Sequence, residues 1–256
     1  MERLLKKVDN LYHEYGLVGL KGGTEVEDMT FEEIAFLKAL GDPILPLIVK
    51  IGGPEARNDI RAMKALGVQG ILAPMIESEY ALKNFVDCTR EIYRGEALPL
   101  LAINIETITS YDNLDGITSS EHFKAIGQVT VGRSDLSASM HRKNDDEEVY
   151  RVTESIVRWS EDLGKITSVG GKITGANAPV IRHRVRPNRI NTRHMVFDIS
   201  RSRDIAESVN LGLEFEIELY GALAGVEPSK REVYAKLIEN TRDRLQPCEL
   251  PRCAAG

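Results

Sequence analysis

Apolar runs of strand length alternate with amphipathic segments of helical period along most of the chain. Leu4, Leu5, Val8, Leu11 and Tyr12 recur at helical spacing and predict an N-terminal helix over 1–15. A short apolar run closed by glycines follows at 16–23. Thr30 then precedes a helix at 31–41, with Glu33 placed to complete a capping box. The cycle repeats as strand 45–53, helix 54–67 opening on Pro54, strand 68–76, helix 80–95 and strand 98–107. A helical span beginning at Ser110 leads to strand 128–135. Helix 147–164 and strands 166–174 and 193–200 come next, then helix 201–212, strand 213–223 and a strongly amphipathic helix over 229–245. A polar tail, 246–256, ends the chain.

Eight strands, mostly separated by helices, in a chain of 256 residues predict a single-domain (β/α)8 TIM barrel, an α/β fold, spanning 1–256. No glycine fingerprint follows the first strand, which speaks against a doubly wound dinucleotide-binding sheet. The stretch 175–190, rich in Pro and Arg, reads as a long functional or mobile connection.

Two strands end on a carboxylate, Glu106 after LAINI and Asp135 after QVTVGRS. A right-handed crossover returns the chain parallel, so both acids reach one edge of the sheet. Like charges held that close need a cation or a proton between them, which predicts a divalent-metal site or an acid/base pair.

Composition narrows the classes. A formal net charge of -6 argues against general nucleic-acid binding, and no apolar run is long enough to span a membrane. The charged amphipathic start is unlike a signal peptide, so a cytoplasmic protein is expected. Cys88, Cys248 and Cys253 are too few and too scattered for a disulfide framework or metal knuckle; buried or tail thiols are expected.

In a barrel the reactive groups sit on the loops after each strand. Those positions hold Lys21 with Glu25, Lys50 before two glycines, Met75 with Glu77, Glu106, Arg133 with Asp135, Lys172 and Asp198. This ring of alternating cations and carboxylates suits a small anionic substrate chelated to a metal. Lys50, Arg133 and Lys21 are the candidate catalytic residues. Gly132, Ser134, Asp135, Lys50 and Glu77 are the candidate substrate-binding residues, and Glu106 and Asp135 the metal ligands. Asn104 is a supporting group on the same rim. Arg182, Arg184, Arg186, Arg189 and Arg193, with His183 and His194, read either as a phosphate or nucleotide contact or as a solvated or oligomer-facing loop. Glu214, Glu216 and Glu218 alternate with apolar residues and, read as strand, share one face, with partners expected from that arginine stretch.

The segments Ile103–Thr107 (INIET) and Val131–Ser139 (VGRSDLSAS), preceded by GVQGILAPMIES, resemble the HpcH/HpaI aldolase and citrate lyase family of the phosphoenolpyruvate/pyruvate barrel superfamily. The resemblance is best from about Lys50 to Met140. It implies that Glu106 and Asp135 bind a divalent metal, Mg2+ or Mn2+, that chelates a 2-oxo acid such as pyruvate. It also implies that the backbone amides of Ser134 and Asp135 receive the carboxylate. Three departures stand out. Lys50 occupies the place of an arginine, Arg133 that of a proline, and LKGGTEVED lacks the family's histidine, leaving proton transfer to Lys21, Glu25 or a metal-bound water. The family's first strand is also absent before 16–23, and strand 213–223 is expected to close the barrel in its place.

The implied activity is a metal-dependent carbon–carbon lyase or aldolase acting on a 2-oxo acid through an enolate, with a homo-oligomeric assembly in which the helix at 229–245 packs on a neighbouring subunit. The alternatives are a citrate-synthase-like or acyl-CoA lyase reaction on a phosphorylated or CoA-linked partner, and a noncatalytic barrel binding a metabolite or a partner protein.

Overall fold

The computed structural model describes residues 1–245, so the expected tail at 246–256, with Cys248 and Cys253, lies outside the described residues. Eight strands close into a barrel in the order of the chain: β1 (Leu17–Gly23), β2 (Leu47–Lys50), β3 (Gly70–Ala73), β4 (Leu100–Ile105), β5 (Gln128–Gly132), β6 (Ile166–Gly170), β7 (Arg189–Asn191) and β8 (Met195–Asp198). β1 to β6 each run parallel to the next strand. β8 is antiparallel to both β7 and β1.

The helices are α1 (Glu2–Glu14), α2 (Phe31–Gly41), α3 (Arg57–Leu66), α4 (Glu79–Ile92), the short α5 (Ile108–Asp112) and α6 (Leu114–Ser119), α7 (Arg133–Ser139), α8 (Glu147–Asp162), the single turn α9 (Ala178–Val180), α10 (Ile205–Val226) and α11 (Arg231–Arg242). Local chemistry sets their starts. Thr30 and Glu33 form the expected capping box on α2, and the Asp204 carboxylate accepts from the amides of Ala206 and Glu207 at the start of α10. The core lies between the barrel wall and the helices, where Leu17, Leu20, Ile34, Leu37, Phe85 and Phe197 are fully buried. Cys88 is buried among them, as expected. Among the described residues no helix is long and apolar enough to cross a membrane.

Three expectations are corrected. The segment 213–223 is not a strand: it belongs to α10, which continues from the helix predicted at 201–212. Its Glu/apolar alternation imitates a two-residue period over a short window. Over the whole helix the buried positions Ile205, Val209, Leu213, Glu216, Tyr220 and Leu223 follow three- and four-residue steps instead. The strand it was expected to supply is β7, hidden in 175–190. That stretch is no free loop, for it holds α9, a π-helical turn at Ile181–Val185 and β7. Finally, the chain between β7 and β8 is too short for a crossover, so β8 reverses direction and carries Asp198 to the end of the barrel opposite the reactive rim.

α11 packs along α10 of its own chain. The buried Glu33 carboxylate of the capping box accepts the Tyr234 hydroxyl and pairs with Lys230 at 3.2 Å, and Tyr220 and Tyr234 stack with centroids 5.9 Å apart. Tyr234 is therefore pushed far above the ordinary tyrosine range, by burial first and then by Glu33.

On α10, a Cβ at Gly212 would lie 2.9 Å from the Cε2 and Cζ atoms of the buried Phe197 ring on β8. Gly212→Ala is expected to lower stability by about 1–3 kcal/mol in urea unfolding, overpacking outweighing the gain in helix propensity. Unchanged or raised stability would contradict this packing of α10 on the barrel.

Candidate active site

A cavity of about 310 Å3 opens at the C-terminal end of the parallel strands. Its floor comes from strand ends: Lys21 (β1), Lys50 (β2), Asn104 and Glu106 (β4 and the next residue), Thr130 and Gly132 (β5) and Gly170 (β6). Its walls come from Glu27, from Ser134 and Asp135 of α7, from Lys172 and Ile173, and from Asn191, Thr192 and Arg193 at the β7–β8 turn. Leu237, Asn240 and Thr241 of α11, with Arg244 beyond it, complete the enclosure.

Glu106 is 1% exposed. Its Oε1 accepts the Met75 amide at 3.1 Å, and its Oε2 accepts Asn104 Nδ2 at 2.6 Å and Lys50 Nζ at 3.5 Å. Met75 makes that contact from a left-handed backbone, φ 51°. Burial is the main force on the Glu106 carboxyl, and with the negative charges of Asp135 and Glu25 it holds the group above the ordinary carboxylate range despite Lys50 and the Met75 amide. A Cβ at Gly132 would sit 2.5 Å from Glu106 Oε2, so β5 must carry glycine where it passes this carboxylate.

Lys50 is buried, with Nζ 2.7 Å from Glu25 Oε2. Burial alone would favour the neutral amine, but Glu106, Glu25 and Glu27 outweigh it and hold Lys50 above the ordinary lysine range. It is a fixed cation. Lys21 pairs with Glu27 at 3.3 Å, not with Glu25. Burial opposes ionisation of Glu27, yet Lys21, His194, Arg193 and Lys50 together lower its carboxyl to about 2.

Ser134 and Asp135 occupy the first turn of α7, whose leading amides have no acceptor within the helix. Gly171, at φ 93°, comes so close to this turn that a Cβ there would lie 2.5 Å from the Ser134 nitrogen. Among the described residues no group of three or more His, Cys, Asp or Glu side chains converges as a metal cage.

A family model described as HpcH/HpaI aldolase/citrate lyase matches residues 32–170, more than half of the chain. The chain belongs to that family. No curated protein sequence matches it. Among solved structures, an HpcH/HpaI aldolase from Desulfitobacterium hafniense DCB-2 shares 15% identity over 70% of this chain and 86% of its own, with a TM-score of 0.52. An HpcH/HpaI aldolase/citrate lyase family protein from Burkholderia cenocepacia J2315 shares 15% over 72% and 89%, TM-score 0.55. The citrate synthase SbnG shares 15% over 70% and 86%, TM-score 0.52. At these identities the likeness is one of fold.

Within this HpcH/HpaI chain, the sequence-predicted residues Lys21, Lys50, Glu106, Gly132, Ser134 and Asp135 all line the cavity, with Asn104 and Lys172. Two candidates do not. The Arg133 guanidinium is fully buried away from the cavity, donating to the Asn144 carbonyl at 2.5 Å and to Asp145 at 2.8 Å, with its centre 4.5 Å from the Tyr150 ring centroid. About 100° separates successive helical positions, so turning Ser134 and Asp135 toward the cavity turns Arg133 away. Glu77 accepts the Thr107 hydroxyl at 2.5 Å and so steadies the residue after Glu106 from outside the cavity.

Of the basic stretch, only Arg193 lines the cavity. Arg182 donates to the Ser202 carbonyl, Arg184 pairs with Glu147 and Glu154, Arg186 donates to the His183 carbonyl and Arg189 to Gln128. Burial holds His194 below the ordinary histidine range, and its Nδ1 lies 2.9 Å from the Lys21 carbonyl. Glu218 pairs with Arg3 and Lys7, and Glu214 is exposed. Glu216 is fully buried and accepts both the Thr192 hydroxyl and the His194 amide at 2.6 Å. The expected arginine partners are thus replaced by the turn that carries Arg193.

Sequence reasoning passed over Glu27, Thr192, Asn240, Thr241 and Arg244. Glu27 follows β1 two residues after the carboxylate that was noticed, a signal available in the chain. The last three reach the cavity only because α11 folds back, which no local pattern announces.

Glu27, lowered to about 2 in the folded state, contributes stability above the ordinary 4.5 that is lost as pH falls from 4.5 toward 2. Glu106, shifted upward, acts oppositely: its burial costs stability as pH rises through and beyond 4.5. In urea titrations across pH, Glu27→Gln is expected to be less stable than the wild type near neutrality, by on the order of 3 kcal/mol, with the gap closing between 4.5 and 2. A gap independent of pH contradicts the assignment.

Proposed function

We propose that this protein is a metal-dependent carbon–carbon lyase or aldolase acting on a 2-oxo acid such as pyruvate. The observation that carries the reading is the meeting of Glu106 and Asp135 in one cavity at the C-terminal end of the barrel, beside a lysine held as a cation.

The donor set fits a hard divalent cation, magnesium or manganese. Such ions take oxygen ligands, and the cavity offers two carboxylates together with Asn104 Oδ1, a buried oxygen that has no hydrogen-bond partner. Glu106 and Asp135 would be the protein's ligands. When bound, the cation supplies Lewis-acid stabilisation of the negative charge that builds on the substrate's oxygens as the carbon–carbon bond breaks.

The chain's own groups do the rest. The first-turn amides of α7, at Ser134 and Asp135, receive the substrate carboxylate, as the family resemblance implies. Lys50, pinned between Glu25 and Glu106, presents a permanent point charge toward the developing oxyanion. Lacking an arginine's planar fork, it supplies charge with little directional demand. Ile173 and Leu237 reduce water access from the sides. None of the five histidines lines the cavity, and Glu27 is too acidic to be an efficient proton acceptor near neutral pH. The site is therefore equipped more for stabilising charge than for base catalysis.

A condensing reaction of the citrate-synthase or acyl-CoA lyase type is the second reading, favoured by the additional cations Lys172, Arg193 and Arg244 in the same cavity.

Oxaloacetate tests the chemistry without knowledge of the natural acceptor, because its decarboxylation breaks a carbon–carbon bond and leaves pyruvate. Turnover is expected to require magnesium or manganese, to fall at least about 100-fold in Glu106→Gln, and to fall about 100-fold in Lys50→Met, with far-UV circular dichroism unchanged. Metal-dependent turnover undiminished in Glu106→Gln would overturn the assignment.

A further inference from the structure

Breaking a carbon–carbon bond next to a 2-oxo acid leaves an enolate, and the reaction is complete only when a proton reaches the enolate carbon. Few groups lining the cavity can supply one. Guanidinium groups keep their protons in proteins, which removes Arg193 and Arg244. The hydroxyls of Thr130, Ser134 and Thr241 are far weaker acids than an ammonium group. Three lysines remain: Lys21, Lys50 and Lys172.

The three are held differently. The Lys50 ammonium lies between Glu25 at 2.7 Å and Glu106 at 3.5 Å, which commits its charge to those carboxylates. Lys172 is exposed on the loop after β6, where water competes for its proton. Lys21 differs from both. Gly23 lies beside Lys50 in the β1–β2 register, and residues two apart share one face of a strand. Lys21 therefore stands one inward-facing position deeper than Lys50 in the floor of the cavity. Only 16% of its side chain is exposed, and Glu27, at 3.3 Å, is its one side-chain partner among the described residues.

The surroundings fix this ammonium group without using it up. The Lys21 amide donates to the His194 carbonyl at 2.9 Å, and His194 Nδ1 lies 2.9 Å from the Lys21 carbonyl. The His194 amide is in turn bound by the buried Glu216. Gly23 leaves room for Glu27, because a Cβ there would strike Glu27 Oε2. Burial opposes the charge of Glu27, yet its cationic neighbours lower its carboxyl to about 2, so Glu27 holds Lys21 as a cation and does not take its proton.

We infer that Lys21 is the catalytic proton donor to the enolate carbon, with Glu27 and His194 as the residues that position it. The inference rests on the proposed 2-oxo acid reading and assigns the proton step within it. One N–H bond of the ammonium group breaks as the enolate's carbon–carbon double-bond electrons form the new C–H bond and the keto group is restored. The neutral amine left behind regains a proton from water after the product departs.

Enolpyruvate, generated in place from phosphoenolpyruvate by a phosphatase, tests the step apart from bond cleavage. With magnesium, the wild type is expected to accelerate its conversion to pyruvate, followed as loss of the enol's ultraviolet absorbance, and to turn oxaloacetate into pyruvate without releasing free enol. In Lys21→Met and Lys21→Arg the acceleration is expected to fall at least about 100-fold, and any oxaloacetate consumed should emerge as free enolpyruvate. Lys21→Arg keeps a cation beside Glu27 but holds its protons. Its calorimetric affinity for oxalate, with magnesium present, is expected to stay within about threefold of the wild type, which separates proton donation from lost charge or a damaged fold. Undiminished acceleration in Lys21→Arg overturns the inference, as does release of free enolpyruvate by the wild type or loss of oxalate binding in both variants. Oxalate binding by the wild type with no dependence of the enol step on Lys21 would remove this inference alone. A wild type that neither binds oxalate nor consumes oxaloacetate would remove the 2-oxo acid reading and the inference with it.

Discussion

A carboxylate held almost out of water must be given cations or a proton, and Glu106 is that group here. Everything around it answers this requirement. Asn104 and the Met75 amide hold its oxygens, Lys50 stands 3.5 Å away, and Gly132 exists as glycine because a side chain would strike the carboxylate. The arrangement does not fully satisfy the charge, since Glu106 still holds its proton more tightly than an ordinary glutamate. Such incomplete compensation is what a site reserved for a further positive charge requires. It is maintained at the expense of stability, as functional sites commonly are.

The barrel makes this possible by separating the labour of its parts. The parallel strands deliver Lys21, Lys50, Glu106 and Gly132 to one end, while the apolar layer beneath the helices supplies the stability. The reversed β8 alters the far side. It replaces a crossover by a tight turn, and the buried Glu216 fixes that turn so that Arg193 faces inward. α11, held by Tyr234 and Lys230 on the buried cap residue Glu33, closes the top. One side chain thus caps α2 and anchors the helix that covers the cavity.

Much of this was legible in the sequence because strand-end chemistry is local. Glu106 and Asp135 each close a short apolar run, and the parallel crossover between them is dictated by handedness, so their meeting follows from the chain alone. Seven of the eight strands were also readable as apolar runs bounded by turns. The misreadings have physical causes. The Glu214 to Leu219 alternation is a two-residue pattern embedded in a helix whose true period shows only over a longer window. β7 is three residues long and surrounded by arginines, so it offers no apolar run to detect. Arg133 is adjacent in sequence to two cavity residues but points elsewhere, because helical geometry sends neighbours to different faces. The contribution of α11 depends on long-range packing against α10 and Glu33, which a local pattern does not encode.

We propose that Glu106 and Asp135 together create a divalent-cation site able to chelate a 2-oxo acid. Calorimetric binding of oxalate, a planar mimic of the enolate of pyruvate, tests it most directly. Binding is predicted in the presence of magnesium or manganese, to vanish when a chelator removes the metal, and to vanish in Asp135→Asn with metal present. Oxalate that binds equally well with chelator, or equally well to Asp135→Asn, would contradict the claim.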